Sequence, residues 1–282
     1  MNAANQSEQE NPECAVTQAD LAWFRAWAKR HCGADFTRQQ DGLLYRRLRT
    51  LLRSFDITTV ELRRKAEAGD NALVEKLRDA ASINYTAFFR EPETFDFLRE
   101  SFFPSLPTAG ELRFWSAAAS SGDEAYSLAM LALEAIFQAS TRVRILGTDL
   151  SSQQIEFAER GEYSEDTMKL VSPRRRTQWF EGGRGTGTGA RVNNAVRALC
   201  TFRTLNLVSK PWPFRQRFHL ILLRNVLYYF DEPTQQQVVE RCQSALLPGG
   251  VLVMSLTDPV VNILGGHARM TRVAPGVFRR SS

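Results

Sequence analysis

The chain has 282 residues, of which 43% are hydrophobic, 24% charged and 10% aromatic. This composition is typical of a folded globular protein of one or two domains and excludes a mainly disordered or fibrous one. The formal net charge of +5 is concentrated in one place, because residues 36–65 carry eight basic and three acidic side chains.

No run of apolar residues approaches the ~18 that a membrane-spanning helix requires. The first sixteen residues contain no Lys or Arg and no apolar core of the kind found in secretion signals. We therefore expect a cytoplasmic protein. The four cysteines are far apart and form no CxxC or Cys/His pair, so the sequence predicts neither a metal site nor a disulfide framework.

The first part of the chain has a helical pattern throughout. Thr17 stands three residues before Asp20, which is the spacing of an N-cap with its capping box. Later helices are predicted on either side of Gly69, which favours a helix end. Together these helices predict a small all-α domain over residues 14–82.

One of these helices has two different faces. Apolar residues recur at three- and four-residue intervals from Leu44 to Phe55, whereas Arg46, Arg49 and Arg53 share another face. The first face is expected to pack and the second to be cationic. A cationic face is typical of a solvated surface, of a nucleic-acid patch or of a surface that binds an acidic protein. The chain has no recognisable nucleic-acid-binding motif, which favours a protein partner over nucleic acid.

After residue 107 the pattern changes to strands that alternate with helices. The predicted elements are strand 112–116, helix 123–137, strand 143–148, helix 153–160, strand 218–223, helix 234–246 and strand 251–256. The first three form the βαβ unit of a parallel sheet. The alternation predicts an α/β domain over residues 83–282, built as a three-layer sandwich.

One stretch interrupts this alternation. Residues 181–194, EGGRGTGTGARVNN, are rich in Gly and Thr and lie between a helical pattern over 172–180 and a strand-like pattern over 196–202. The stretch is typical of a flexible linker or of a hairpin. We expect a small antiparallel β insertion over 181–203 with a glycine-rich tip.

A loop of small residues, Ser116–Gly122, joins the first strand of the α/β domain to its helix. Small side chains let a ligand approach the backbone closely. The glycine spacings of dinucleotide and phosphate loops are absent. Asp123 and Glu124 follow in the first turn of the helix, where acids favour a cationic or hydroxyl-bearing ligand, although they also stabilise the helix dipole without one.

Asp149 ends the next strand, beside that loop. An acid at this position can accept hydrogen bonds from both hydroxyls of a ribose. The alternative is a helix N-cap, a role for which Ser151 competes. Together with the loop, Asp149 predicts a ligand with an adenosyl group and no phosphates.

Two further strings combine polar, cationic and aromatic residues. Arg224–Phe230 follows an apolar strand, at the end where open α/β sheets place their ligands. Asn84–Arg90 stands at the boundary between the helical and the α/β regions, and a helix cap from Asn84 or Thr86 is its alternative role. The three histidines belong to neither string, so hydrolytic chemistry by an activated nucleophile is not supported.

In this order and spacing, these segments resemble the chemotaxis-receptor glutamate methyltransferases, the CheR family. The resemblance extends from about Asp20 to Gly250. Its five blocks are Asn84-x-Thr-x-Phe-Phe-Arg90, the string from Trp115 to Ser127, Asp149, Asn206-Leu207 and Arg224-Asn-Val-x-x-Tyr-Phe-Asp231.

The resemblance implies methyl transfer from S-adenosylmethionine to glutamate side chains of methyl-accepting chemotaxis receptors. It also implies a class I S-adenosylmethionine-dependent methyltransferase fold, which is Rossmann-like and is preceded in the chain by a small helical domain. Arg90 and Tyr229 would face the reacting centre, and the basic helix would bind the cytoplasmic domain of the receptor. The residues that the resemblance assigns to the cofactor pocket are Asn84, Thr86, Arg90, Glu124, Asp149, Asn206, Leu207, Asn225 and Val226.

The chain departs from the family pattern in two places. Asp123-Glu124-Ala125 stands where the family usually has Glu-Glu-Pro, and Ser255-Leu-Thr-Asp-Pro259 stands where it commonly has Gly-His-Ser-Glu. The alternatives are a catalytically altered adenosyl-binding scaffold and a class I methyltransferase that acts on another carboxylate or on a small molecule. A glutamate acceptor is ionised at neutral pH, with a pKa of about 4.3, so the lack of a motif histidine as general base is expected.

Overall fold

The chain divides into two units, Met1–Ile83 and Asn84–Ser282. The structure is a computed structural model that describes residues 16–82, 86–135, 141–182, 189–258 and 270–281. Asn84, predicted to bind cofactor, lies outside the described residues. None of the helices in these ranges combines the length and the apolar character that crossing a membrane requires.

The first unit contains the helices α1 (Gln18–Cys32), α2 (Asp41–Phe55), α3 (Thr59–Glu67) and α4 (Asn71–Ala81). The predicted capping box at its start is confirmed. Asp20 Oδ2 accepts a hydrogen bond from the Thr17 N–H at 2.8 Å, and Thr17 Oγ1 accepts one from the Asp20 N–H at 3.2 Å. Gly69 has a φ of 76° and lies in the turn that separates α3 from α4, as its position predicts.

Helix α2 has the two faces that its sequence predicts. Arg46 and Arg53 are exposed and Arg49 is partly exposed. The buried face consists of Leu44, Leu48, Leu51 and Leu52. The cationic character of the other face is therefore a property of the folded helix as well as of its sequence.

The second unit alternates strands and helices. Its elements are α5 (Pro92–Phe97), β1 (Gly110–Ser116), α6 (Asp123–Ala135), β2 (Thr141–Asp149), α7 (Ser152–Arg160), β3 (Glu162–Tyr163), α8 (Pro173–Trp179), β4 (Phe180–Gly182), β5 (Ala190–Val192), α9 (Asn194–Arg197), β6 (Cys200–Thr204), β7 (Phe218–Leu223), α10 (Glu232–Ala245), β8 (Leu246–Met254), β9 (Met270–Ala274) and β10 (Val277–Arg280).

In the part of the chain that the structure describes, seven strands form one sheet in the order β6-β2-β1-β7-β8-β10-β9. The pairs from β6 to β8 are parallel, and β10 is antiparallel to both of its neighbours. Consecutive residues of a strand point to opposite faces. Leu222 of β7 packs in an apolar cluster with α6, whereas Leu223 packs in another with α10. Helices therefore cover both faces, and the predicted three-layer α/β sandwich is confirmed.

A second, separate sheet is small and antiparallel, with the order β3-β5-β4. The expected antiparallel structure is present, but its strands differ from the prediction. One strand, Glu162–Tyr163, precedes the predicted stretch. The strand expected over 196–202 is instead β6, Cys200–Thr204, which pairs parallel with β2 in the large sheet. Residues 183–188, the predicted glycine-rich tip, lie outside the described residues.

Candidate functional site

The strand order brings the predicted site segments to one edge of the large sheet. Strands β6, β2, β1 and β7 are parallel neighbours, so their carboxyl ends lie at the same edge. In that order, the edge carries Asn206 after β6, Asp149 at the end of β2, the loop after Ser116 of β1, and Asn225 after β7. Ligands of open α/β sheets bind at this kind of edge.

Asp149 is buried, and two backbone groups fix its carboxylate. Oδ2 accepts a hydrogen bond from the Ser120 N–H at 2.8 Å, and Oδ1 accepts one from the Ser151 N–H at 3.0 Å. Ser151, in turn, caps α7, because its side chain accepts a hydrogen bond from the Gln154 N–H. Asp149 is therefore not the helix cap, and the alternative role weighed for it falls to Ser151.

The loop after β1 follows a tightly constrained path. Ser120 has a φ of 48° and Gly122 a φ of 92°. A Cβ atom on Gly122 would lie 2.8 Å from the Cβ atom of Ala158, so the position requires glycine. The Ala119 N–H donates to the Thr148 carbonyl at 2.8 Å. The loop is thereby fixed beside the end of β2.

Glu124, in the first turn of α6, forms a buried ion pair with Arg224, which directly follows β7. Nη1 of Arg224 lies 2.9 Å from Oε2 of Glu124, and the two side chains are 1% and 12% exposed. The Ser116 hydroxyl donates to Oε1 at 2.7 Å. Charged side chains are tolerated at such depth only when they are paired. This pair fixes the orientation of the Glu124 carboxylate.

Asp123, the neighbouring acid, has a different environment. It is completely buried, and its Oδ2 accepts a hydrogen bond from the Ser121 hydroxyl at 2.7 Å. Burial raises the pKa of Asp123 to about 6, although the Ser121 hydrogen bond opposes the shift. The two acids that the sequence places together are thus unlike: Glu124 is paired with a cation and Asp123 is packed inside.

Arg90 lies between two residues with a left-handed backbone. Phe89 has a φ of 51° and Glu91 a φ of 57°. Residues other than glycine rarely adopt this conformation, and they cluster at functional sites. The Phe89 N–H donates to the Ser127 hydroxyl at 2.9 Å, and the Arg90 carbonyl accepts from Nη2 of Arg224 at 2.5 Å. Side chains from α6 and from the end of β7 thus hold the backbone on both sides of Arg90.

The rings next to Arg90 pack against the small antiparallel sheet and its helix. Phe88 is completely buried and meets Tyr163 and Phe180 edge to face, with ring centroids 4.7 and 5.4 Å apart. The guanidinium of Arg175 lies 4.1 Å from the centroid of the Phe89 ring. Residues of β3, β4 and α8 therefore support the segment that carries Arg90.

Glu91 connects its own segment with the segments that follow β7 and β8. Its Oε1 accepts hydrogen bonds from Asn225 Nδ2 at 3.1 Å and from the Ser255 hydroxyl at 2.6 Å, and its Oε2 lies 3.3 Å from Nη2 of Arg224. Burial alone would raise the pKa of Glu91, but the Ser255 hydrogen bond and the charge of Arg224 hold it below its usual value. Arg224 contacts both Glu91 and Glu124, so it links the Arg90 segment to the first turn of α6.

The other residues that the sequence predicts to bind cofactor would offer a ligand different groups. Asn206 Oδ1 accepts a hydrogen bond from the Val208 N–H at 3.1 Å, which makes a local turn. The side chain of Leu207 is buried in the apolar cluster beneath α10, so only its backbone can supply polar groups. Thr86 and Val226 are partly exposed.

Tyr229 lies in a single 3₁₀ turn, Leu227–Tyr229. Its hydroxyl accepts a hydrogen bond from the Tyr228 hydroxyl at 3.0 Å, and the two ring centroids are 4.2 Å apart. Gln235 of α10 fixes the turn by donating to the carbonyls of Leu227 at 3.0 Å and Phe230 at 2.9 Å. The paired phenols are thus held at the end of β7.

The sequence did not assign roles to Glu91, Ser127 or Arg224. Each stands at the end of a motif block or next to one, which was the available signal. Their roles depend on contacts across the fold, such as that between Arg224 and Glu124, which are 100 residues apart.

Comparison with known proteins gives the family. Residues 84–265 match the model of the CheR methyltransferase SAM-binding domain, and residues 19–61 match that of the CheR methyltransferase all-alpha domain. Chemotaxis protein methyltransferase 1 of Pseudomonas aeruginosa is 32% identical over 278 residues, which are 95% of this chain and 99% of that protein. Chemotaxis protein methyltransferase of Escherichia coli is 33% identical over 74% of this chain and 73% of that protein.

A solved structure that also matches is N-methyltransferase NodS from Bradyrhizobium japonicum, at 16% identity over 68% of this chain and 87% of that one, with a TM-score of 0.40. The large sheet with its two helical layers is the class I S-adenosylmethionine-dependent methyltransferase fold that the sequence predicts. With a SAM-binding domain matched over residues 84–265 and a relative that covers nearly its whole length, the chain belongs to the CheR methyltransferase family.

Proposed function

We propose that this chain transfers the methyl group of S-adenosylmethionine to glutamate side chains of chemotaxis receptors, forming glutamate methyl esters. The observation that carries the proposal is the position of Arg224. Its guanidinium binds Glu124, which we assign to the cofactor, and also the backbone carbonyl of Arg90, which we assign to methyl transfer. The names of the relatives supply the reaction class and the signalling context.

The carboxylates at the sheet edge fit S-adenosylmethionine. Ribose hydroxyls suit the carboxylate of Asp149, which backbone N–H groups orient, and the ammonium group of a methionine moiety suits the carboxylate of Glu124. When bound, this cofactor supplies a methyl group on a positively charged sulfur and leaves as S-adenosylhomocysteine. The residues that we assign to its pocket are Asn84, Thr86, Arg90, Glu124, Asp149, Asn206, Leu207, Asn225 and Val226.

The acceptor needs binding more than activation. A glutamate carboxylate is ionised at neutral pH, so no side chain has to remove a proton from it. Arg90 can hold a carboxylate by two parallel hydrogen bonds, either that of the acceptor or that of the cofactor. Most of the rate enhancement is then expected from positioning.

The surroundings of Arg90 suit a reaction in which charge disappears. An acceptor oxygen loses its negative charge as it becomes an ester, so surroundings of low polarity do not oppose the change. Phe89, the residue before Arg90, packs against Phe95 with ring centroids 5.3 Å apart. Tyr229, which we assign to the reacting centre, adds a phenol at the end of β7.

We further propose that the receptor's cytoplasmic domain binds the basic face of α2, formed by Arg46, Arg49 and Arg53. Glutamate-rich methylation helices would complement this face, and opposite charge speeds the encounter of two proteins. The reaction would then take place in the cytoplasm. We assign receptor contacts to a helical domain over residues 14–82 and methyl transfer to a domain over residues 83–282.

The experiment uses purified protein, tritiated S-adenosylmethionine and membranes that contain a chemotaxis receptor. The proposal predicts label on the receptor. Membranes with the same receptor, in which glutamine replaces the methylated glutamates, are the matched control and should stay unlabelled. Equal labelling of the two membranes, or labelling of neither, contradicts the proposal.

A further inference from the structure

The turn after β8 occupies the place where the chain departs from its family's Gly-His-Ser-Glu string. It runs from Ser255 to Asp258, and both of these residues are buried. Asp258 Oδ2 accepts hydrogen bonds from the Ser255 N–H at 3.0 Å and from the Asn225 N–H at 3.2 Å. One carboxylate oxygen therefore ties this turn to the segment that follows β7.

Asn225 has an unfavourable backbone conformation that needs such support. Its φ is 56°, in the left-handed region, which asparagine adopts more often than other non-glycine residues but still at an energetic cost relative to negative φ. The Asn225 N–H donates to the Asp258 carboxylate. The Asn225 Nδ2 donates to the Ser255 hydroxyl at 2.9 Å and to Glu91 Oε1 at 3.1 Å. The turn thus restrains both the backbone and the side chain of Asn225.

We propose that Ser255 and Asp258 are positioning residues that hold Asn225 in its left-handed conformation and so set the affinity of the site for its cofactor. This inference rests on the proposed function, which assigns Asn225 to the cofactor pocket. If the turn released it, Asn225 would relax towards negative φ. Its side chain, its carbonyl group and Val226 would then all change direction.

The two positioning residues should differ in their effects. Asp258 contacts backbone N–H groups of Asn225 and Ser255, so its loss acts on cofactor affinity. The Ser255 hydroxyl also donates to Glu91, the residue after Arg90, at 2.6 Å. Loss of that hydroxyl should therefore weaken cofactor binding and slow methyl transfer as well.

Asp258 also gives the inference a pH signature. Burial raises the pKa of Asp258 to about 6, and the negative charge of Glu91 adds to the shift, while the backbone N–H groups of Ser255 and Asn225 oppose it. Among the described residues, Glu91 is the acid that faces Asp258, and Arg224 is the cation paired with Glu91. Cofactor affinity should therefore fall as the pH drops from 7.5 to 5.5 (~1.5 units above to ~0.5 below that pKa), because a neutral carboxyl is a weaker acceptor.

The first test is titration calorimetry with S-adenosylhomocysteine. Asp258→Asn keeps the size of the side chain but not its charge, and it should weaken binding about fivefold or more at pH 7.5. Ser255→Ala should weaken it by a similar factor and also lower kcat in the transfer assay. Leu256→Ala, in the same turn, removes a side chain that is 63% exposed and should bind like the parent.

The pH series separates Asp258 from Asp123, the other buried acid with a pKa of about 6 near the site. Asp258→Asn should lose less cofactor affinity than the parent between pH 7.5 and 5.5. Asp123→Asn should still show the part of that loss that protonation of Asp258 causes. An unchanged pH profile in Asp258→Asn would count against the proposal.

A second variant distinguishes positioning from a merely structural role. Glycine adopts the left-handed conformation without strain, so Asn225→Gly should depend less on the anchor. Adding Asp258→Asn to Asn225→Gly should therefore weaken binding less than Asp258→Asn does in the parent. If Asp258→Asn costs as much affinity in the Asn225→Gly background as in the parent, Asp258 does not act through the conformation of Asn225 and the positioning role is wrong.

Two failures are distinguishable. If the parent binds no S-adenosylhomocysteine, the proposed function is wrong, and this inference with it. If the parent binds but Asp258→Asn and Ser255→Ala bind equally well, only the positioning proposal is overturned. Should Asp258→Asn fail to fold, Ser255→Ala decides the matter, because it removes one hydroxyl and leaves the carboxylate in place.

Discussion

Arg224 and Glu124 form an ion pair at 2.9 Å, with side chains that are 1% and 12% exposed, although 100 residues separate them in the chain. The pair connects the end of β7 with the first turn of α6. Nη2 of the same guanidinium also binds the Arg90 carbonyl and lies near Glu91. Arg224 therefore connects the first turn of α6 with the segment that carries Arg90.

Replacing Arg224 with Met should lower the free energy of unfolding by about 3–5 kcal/mol, because it leaves the carboxylate of Glu124 buried without its cation. Denaturant unfolding measures this loss. Arg99→Met is the control, since Arg99 pairs with Asp96 at the surface and such pairs contribute about 0–1 kcal/mol. Similar losses in the two variants would contradict the role assigned to Arg224.

Asp149→Ala should weaken binding of S-adenosylhomocysteine by about 1.5–3 kcal/mol, the range for a hydrogen bond to a charged group. The loss also includes the Ser120 N–H, which would lose its acceptor in the loop after β1. Titration calorimetry gives the value. Ser151→Ala is a matched control because it removes the cap of α7, at a cost of about 1 kcal/mol in stability, and should leave the affinity nearly unchanged. An unaltered dissociation constant for Asp149→Ala would refute the assignment.

Arg90→Ala should nearly abolish methyl transfer while the protein stays folded. The side chain of Arg90 is partly exposed, and the contacts that fix its backbone come from the Phe89 N–H and the Arg90 carbonyl, which alanine retains. Single-turnover transfer to receptor membranes measures the effect, with Arg99→Ala as an exposed control. Transfer at a near-parental rate would make Arg90 a structural residue.

Reversing Arg46, Arg49 and Arg53 to Glu should raise the apparent KM for the receptor and leave cofactor affinity unchanged. Higher ionic strength should mimic the effect in the parent, because exposed charges are screened over about 8–10 Å at physiological salt. The assay is receptor methylation at low salt.

The control for this reversal is a triple change of equal charge near the amino ends of β2 and β7. Its positions are the exposed residues Arg142, Arg215 and Arg217. If both triple variants have the same receptor KM, the basic face of α2 has no special role.

The buried carboxyl of Asp123 makes a prediction about stability and pH. Burial raises its folded-state pKa from 3.8 to about 6, so between these values the folded state binds more protons than the unfolded state. Its contribution to stability is present below about pH 4 and is lost as the pH rises through about 6. Between pH 4.5 and 6.5, the free energy of unfolding of Asp123→Asn should therefore fall less, or rise more, with increasing pH than that of the parent. Chemical unfolding at several pH values measures it. Parallel curves would show that Asp123 does not titrate in this range.

Local chemistry made much of the fold predictable. Thr17 with Asp20 marks the first helix, and Gly69 separates α3 from α4, because caps and left-handed turns depend on neighbouring residues. Strand β6 was expected in the insertion, because five residues, Cys200–Thr204, do not reveal their partner. Only the complete sheet shows that they pair with β2.

For the candidate site, the sequence indicates individual residues but not the contacts between them. Asp149 could be predicted because it ends a strand in a recognisable block. The left-handed backbones of Phe89, Glu91 and Asn225 could not, since none of these residues is glycine and their conformations depend on tertiary hydrogen bonds. The same holds for Arg224, which the sequence places in a motif without indicating its partners.

The central claim is the formation of a methyl ester on receptor glutamates, and the most direct measurement is the alkaline lability of the transferred label. Receptor labelled by this protein with tritiated S-adenosylmethionine would be isolated and treated with base. The account predicts that the label is released as volatile methanol, because esters hydrolyse in alkali. Label that remains on the receptor after this treatment would mean methylation of nitrogen or of another stable group, and would contradict the account.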